Sequence, residues 1–193
     1  MFNTRAVHPT LIGLLWPEKT VNALRWGVLI LLGSLFLTAC AQITVWYEPV
    51  PVTMQTFGVL VIGAVYGSRL GAATVVAYLV EGAIGLPVFA QMHGGFVWLI
   101  GPTGGYLVGF VIAAAVVGWL AERGWDRNVA TTAIAMLIGN VLVYVPGLIV
   151  LAMYYRWEVA ITAGLMPFLL VDALKLAAAA FLLPAAWQFI RRP

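Results

Sequence analysis

Between Glu158 and Arg191 the chain carries two charges, Asp172 and Lys175, inside an apolar stretch long enough to cross a bilayer. About 20 apolar residues suffice to span the hydrocarbon, and an ionised side chain at that depth costs at least roughly 2.5–3.5 kcal/mol on insertion scales. A run of this kind forces helical spans, because only they satisfy their own backbone in lipid. It also forces its charges towards a partner, another helix or a cavity.

The whole chain reads the same way. Of 193 residues, 63% are hydrophobic and 9% are charged, whereas soluble domains carry about 25% charge. So much apolar surface has too little interior to hide in if the fold is soluble. The sequence therefore predicts one integral membrane domain over residues 1–193, with 1–20 as a cytoplasmic N-terminal segment. The net charge of +3 needs no nucleic-acid partner, since the basic residues sit between apolar segments. Cys40 is the only cysteine, which excludes an intramolecular disulfide. LTAC at 37–40 has the form of a bacterial lipoprotein cleavage site. The long stretch before Arg25 and the spans that follow argue against that reading.

Charge-free intervals give six spans, at about Trp26–Trp46, Met54–Tyr66, Leu70–Gly85, Phe96–Leu120, Val129–Leu151 and Pro167–Ile190. PVPVT, after the first, reads as extended because proline disfavours helix in the preceding residue. With the N-terminus inside, Arg5, Lys19, Arg25, Arg69, Arg123, Arg127, Arg191 and Arg192 fall on the cytoplasmic side, and only Arg156 falls outside. The positive-inside rule thus predicts an all-α bundle of six transmembrane helices, N-in and C-in. Tryptophans 26, 46, 98, 119, 157 and 187 fall near helix ends, as an aromatic belt does. Gly101, Gly105 and Gly109, four apart, suit close helix packing.

On this topology the polar residues converge. Descending from the outside at Pro167, Asp172 lies about 8 Å deep and Lys175 about 12 Å, on one helix face. Asn140 and Tyr144, one turn apart, share a face of span five. Gln55, Thr103, Tyr106 and the QMHGG loop (91–95) all belong to the outer half. Together they describe a pocket opening outward, although Asp172 and Lys175 also fit a self-neutralising pair, and Asn140 and Tyr144 also fit interhelical hydrogen bonding. The sequence has no Walker A loop, no HExxH, no paired-cysteine or multi-histidine metal spacing and no GxSxG. No cofactor is expected. A pocket without catalytic groups or an energy source reads as a binding component dependent on another protein's ATP.

PVPVTMQTFGVLVIGAVYGSRLGAATVVAYLVEGAIGLPVFA, then GPTGGYLVGF, GN within IGNVLVYVPGL, and PFLLVDALKLAAAA resemble, in this order over residues 49–182, the BioY family. Its members are the biotin-specific substrate-binding (S) components of energy-coupling factor (ECF) transporters. The resemblance implies a biotin pocket on the extracellular side of a bacterial cytoplasmic membrane protein. It also implies partners, namely a transmembrane coupling protein with two ATP-binding cassette ATPases. Asp172 and Lys175 match the family's D-x-x-K, Asn140 its helix-five asparagine, and Gly104, Gly105 and Tyr106 its GPTGGY. In the loop after PVFA the matching residues are Gly94 and Gly95.

Biotin offers ureido N–H donors, a carbonyl acceptor, an apolar bicycle and a carboxylate. Asp172 with Asn140 or Tyr144 suits the ureido ring, Lys175 suits its carbonyl or the carboxylate, and Phe89 and Trp98 suit the bicycle. Ser34 and Thr38 on span one are the expected strip for docking to the coupling partner. Other readings stay open at this stage: a proton-coupled carrier working without an ATPase, a membrane transferase using Asp172 and Lys175 as acid and base, and a structural subunit that binds nothing small.

Overall fold

The computed structural model describes residues 9–16, 23–46 and 49–191. Arg5, Lys19 and Arg192, used above for orientation, lie outside the described residues, as does most of segment 1–20. The elements in chain order are α1 (Leu11–Leu15), α2 (Ala23–Gln42), β1 (Thr44–Trp46), β2 (Val52–Thr53), α3 (Gln55–Tyr66), α4 (Ser68–Ala83), α5 (Val97–Ile100), α6 (Gly104–Ala121), α7 (Val129–Tyr154), α8 (Trp157–Gly164) and α9 (Met166–Arg191).

Among the described residues four stretches are long and apolar enough to cross a membrane, namely α2, α6, α7 and the α8–α9 stretch Trp157–Ile190. The expected second and third spans form as the shorter helices α3 and α4, of 12 and 16 residues. Between them the chain reverses at Gly67, whose φ of +85° suits glycine. The expected fourth span is broken at Gly101 and Pro102, so α5 and α6 are separate helices. Among the described residues the regular structure is helical except for one short antiparallel ribbon, in which Thr44 pairs with Thr53 and Trp46 with Val52. Its second strand is the PVPVT segment that the prolines hold out of helix.

The bundle is built around α6. In its most apolar window 67% of the residues are buried, against 28–39% in the other three candidate spans. Glycines bring α6 against α7, where a Cβ on Gly105 would sit 2.2 Å from the Pro146 carbonyl oxygen and one on Gly109 2.8 Å from Val143 Cα. This is the close backbone approach that small residues permit in lipid. The outer faces carry exposed Leu31, Leu35, Val108, Leu137, Val141, Leu170, Leu174 and Phe181. In water such a surface would aggregate, and against acyl chains it is at home.

Two expectations are corrected here. Trp187 does not join an aromatic belt. It is 2% exposed, and its indole N–H donates to Asp126 Oδ2 at 2.5 Å. Ser34 does not present itself for docking. It is buried, and its hydroxyl donates to Glu81 Oε1 of α4 at 3.0 Å, because a hydroxyl in an apolar setting takes the nearest acceptor. Thr38 turns its own hydroxyl back to the Ser34 carbonyl, at 2.9 Å. The face of α2 turned outward carries Leu31, Leu32, Leu35 and Phe36 instead. Cys40 is buried within α2, and a Cβ on Gly58 of α3 would meet its Sγ at 3.0 Å.

Candidate functional site

Asp172 and Lys175 are buried, 3% and 6% exposed, and they meet at 2.7 Å between Nζ and Oδ1. The extended segment before α3 and the first turn of that helix supply the rest of the cation's shell. Lys175 Nζ donates to the Thr53 carbonyl at 2.6 Å and to Thr56 Oγ1 at 2.9 Å. With Asp172, these account for all three ammonium donors. The carboxylate is equally occupied. Oδ1 also takes the Thr56 hydroxyl at 3.3 Å, while Oδ2 takes Asn140 Nδ2 at 3.3 Å and the Tyr144 hydroxyl of α7. A buried pair is tolerable on these terms only, with each charge matched and each lone pair or proton used. One buried acceptor of the cluster, Asn140 Oδ1, has no partner among the described residues.

Against this cluster lies a chamber of about 650 Å³, counting its open mouth, lined by residues that include Val50, Pro51, Thr53, Gln55, Thr56, Phe89, Trp98, Tyr106, Tyr144 and Phe168. Ligand pockets are mostly apolar with a few convergent polar groups, as this lining is. Three aromatic rings set its wall. Phe168 stacks on Tyr106 at 6.4 Å between centroids and meets Tyr144 edge-on at 6.2 Å. Tyr106 is anchored by its hydroxyl, which donates to the Gly164 carbonyl at 2.9 Å. Gln55 is held by a relay: its Nε2 donates to the Tyr78 hydroxyl at 2.8 Å, which donates to the Val88 carbonyl at 2.9 Å.

Tyr106, Tyr144, Gln55, Phe89 and Trp98 therefore line the chamber, while Asp172, Lys175 and Asn140 stand one layer behind it, screened by Thr56 and Tyr144. Gly104 and Gly105 are buried packing positions at the start of α6, where added Cβ atoms would meet the Leu99 and Pro146 carbonyl oxygens at 2.0 and 2.2 Å. Gly94 and Gly95 do not line the chamber. Gly95 N–H donates to the Gly82 carbonyl at 2.7 Å and a Cβ on Gly94 would meet the Leu86 carbonyl at 2.3 Å, so both close the loop that follows α4. Thr56 and Phe168 were not singled out from sequence. Phe168 stands four residues before Asp172, on the same helix face. Thr56 opens α3 beside Gln55 and carries no charge to draw notice.

The BioY family pattern matches residues 17–192. The chain belongs to the BioY family. This is a family of transport proteins and not of enzymes. With its several apolar helices, this member is a multi-pass membrane protein. The biotin transporter BioY of Thermotoga maritima is 40% identical over 143 residues, covering 74% of this chain and 83% of the relative. The probable biotin transporter BioY of Pyrococcus horikoshii is 38% identical over 139 residues, covering 72% and 82%. A crystal structure of the S-component for biotin from an ECF-type ABC transporter has a TM-score of 0.73 to this fold, at 22% identity, over 89% of this chain and 95% of that one. At that identity the likeness is one of fold.

Proposed function

We propose that this protein binds biotin from the outer side of a bacterial cytoplasmic membrane and serves its uptake as the S-component of an ECF-type transporter. The observation that carries the reading is the buried Asp172–Lys175 cluster, with its one unmatched acceptor at Asn140, set against an aromatic chamber. A ureido ring has two N–H donors and a carbonyl acceptor. It suits a site where Asn140 Oδ1 needs a donor and where Asp172 can exchange its Tyr144 hydroxyl for a ligand N–H. Lys175 can release Thr56 to meet the ureido carbonyl. Phe89, Trp98, Tyr106 and Phe168 then cover the bicycle and chain. Charge-assisted hydrogen bonds contribute roughly 1.5–3 kcal/mol each, so a few support affinities near the nanomolar range.

In this reading α2, α3, α4, α6, α7 and the α8–α9 stretch are the six spans, with both termini inside. The chamber is lined by the loops that follow α2 and α4, by Tyr144 in the C-terminal half of α7 and by the N-terminal parts of α3, α6 and α9, whereas Arg69 opens α4 and Arg123 and Arg127 lie between the C-terminus of α6 and the N-terminus of α7. The positive-inside rule then directs the chamber outward. A coupling protein with its ATPases moves the loaded S-component, since the described residues hold no Walker A loop of their own. Isothermal titration of the purified protein with biotin tests the binding claim: a saturable one-to-one isotherm is expected, and no heat above dilution contradicts it. Uptake into liposomes only when the ATPase module is present tests the coupling, and uptake driven by a pH gradient alone would favour an autonomous carrier.

A further inference from the structure

The roof of the chamber comes from two separate loops. Val50 and Pro51 belong to the turn between α2 and α3, and Phe89 and Ala90 to the loop after α4. One side chain ties them together. Gln42, the last residue of α2, donates from Nε2 to the Phe89 carbonyl at 3.0 Å and accepts the Met92 N–H on Oε1, also at 3.0 Å. Both ends of the amide are thus spent on the backbone either side of a single turn.

That turn is unusual. Gln91 and Met92 both have positive φ, 55° and 59°, a region in which non-glycine side chains are strained. Such a conformation persists only where its surroundings over-determine it. Burial holds Phe89 and Ala90, 4% and 7% exposed, but not the strained end of the turn, where Met92 is 60% exposed. The short bonds within the turn, Phe89 N–H to the His93 carbonyl at 3.0 Å and His93 N–H to the Ala90 carbonyl at 3.3 Å, need an outside hold to fix them over the chamber. The His93 ring lies against Trp98 at 4.6 Å between centroids, and beside that contact two hydrogen-bonded holds differ in kind. Tyr78, fully buried, fixes Val88 from within. Gln42 grips the far side of the turn at the exposed rim.

We propose that Gln42 is a positioning residue: it latches the Phe89–Met92 turn over the chamber, and its release sets how fast ligand enters and leaves. Val88, held by Tyr78, is then the fixed end about which the turn lifts. This rests on the reading that the chamber takes biotin.

The test uses the full chain purified in detergent, as wild type, Gln42→Ala and Gln42→Glu. Biotin dissociation is followed by chase, and backbone amide exchange over residues 86–95 is followed without biotin. The latch predicts dissociation about tenfold faster in Gln42→Ala, as expected for losing two rim hydrogen bonds. The effect should be smaller in Gln42→Glu, which keeps the acceptor for Met92 N–H, and the melting temperature should barely move. Amide exchange should quicken over 86–95 and stay unchanged in α3 and α6. Dissociation and loop exchange that both match the wild type overturn the latch, and a change seen only as a lower melting temperature does the same. If the wild type fails to bind biotin, it is the ligand assignment that falls, and the exchange experiment still decides the latch.

Discussion

Lys175 Nζ and Asp172 Oδ1 lie 2.7 Å apart across one turn of α9, in side chains 6% and 4% exposed. A pair this deep gains from its own attraction only if every remaining valence is used, and Thr53, Thr56, Tyr144 and Asn140 use them. The pair is therefore both a structural knot and a set of donors and acceptors stored beside the chamber.

Those two roles separate by substitution. Asp172→Asn or Lys175→Met alone leaves an unmatched buried charge and costs about 3–5 kcal/mol of stability. The double variant removes both charges and regains most of that stability, read as thermal melting in detergent. Biotin affinity falls at least about tenfold in each single variant, which loses one charge-assisted partner, and at least about a hundredfold in the double variant, which loses both. Recovery of affinity along with stability in the double variant would mark the pair as structural only.

Gly105→Ala drives a methyl group against the Pro146 carbonyl at 2.2 Å, and only movement of α6 from α7 relieves it. We expect a loss of about 1–3 kcal/mol, as for other overpacked sites. Gly27→Ala on α2, with nothing within 4 Å of the new Cβ, is the control. It should gain about 0.5–1 kcal/mol from helix propensity. Melting temperatures of the two variants should move in opposite directions.

Glu122, at the end of α6, accepts the Ser68 backbone N–H at 2.7 Å and its hydroxyl at 2.8 Å, capping α4 from a neighbouring helix. Glu122→Ala removes that cap. Stability should fall by about 0.5–2 kcal/mol with biotin affinity unchanged, because the chamber lies at the other end of α4.

Orientation is read by labelling. In a Cys40→Ala background, Glu158→Cys should react with an impermeant maleimide in intact cells. Arg123→Cys should react only after permeabilisation. The reverse pattern would invert the topology.

The long apolar helices are legible because apolar runs end at charges, and Asp172 and Lys175 are legible as a pair because residues three apart share a helix face. Phe168 could have been read by the same geometry from its place four residues before Asp172. Thr56 could not, since an uncharged threonine in a span carries no desolvation signal of its own. Ser34 and Trp187 depart from expectation for a common reason. Position along one helix does not fix either side chain, because partners on other segments, Glu81 and Asp126, determine where it points. The break between α5 and α6 is not legible in the sequence because apolar content hides a backbone turn at Gly101 and Pro102.

The most direct measurement is a structure of the protein with biotin bound. It should show the ureido ring within hydrogen-bond distance of Asp172, Lys175 and Asn140 Oδ1, with the Tyr144 hydroxyl displaced from the carboxylate and the bicycle among Phe89, Trp98, Tyr106 and Phe168. Biotin seated elsewhere, with the Asp172 cluster intact, would contradict the account.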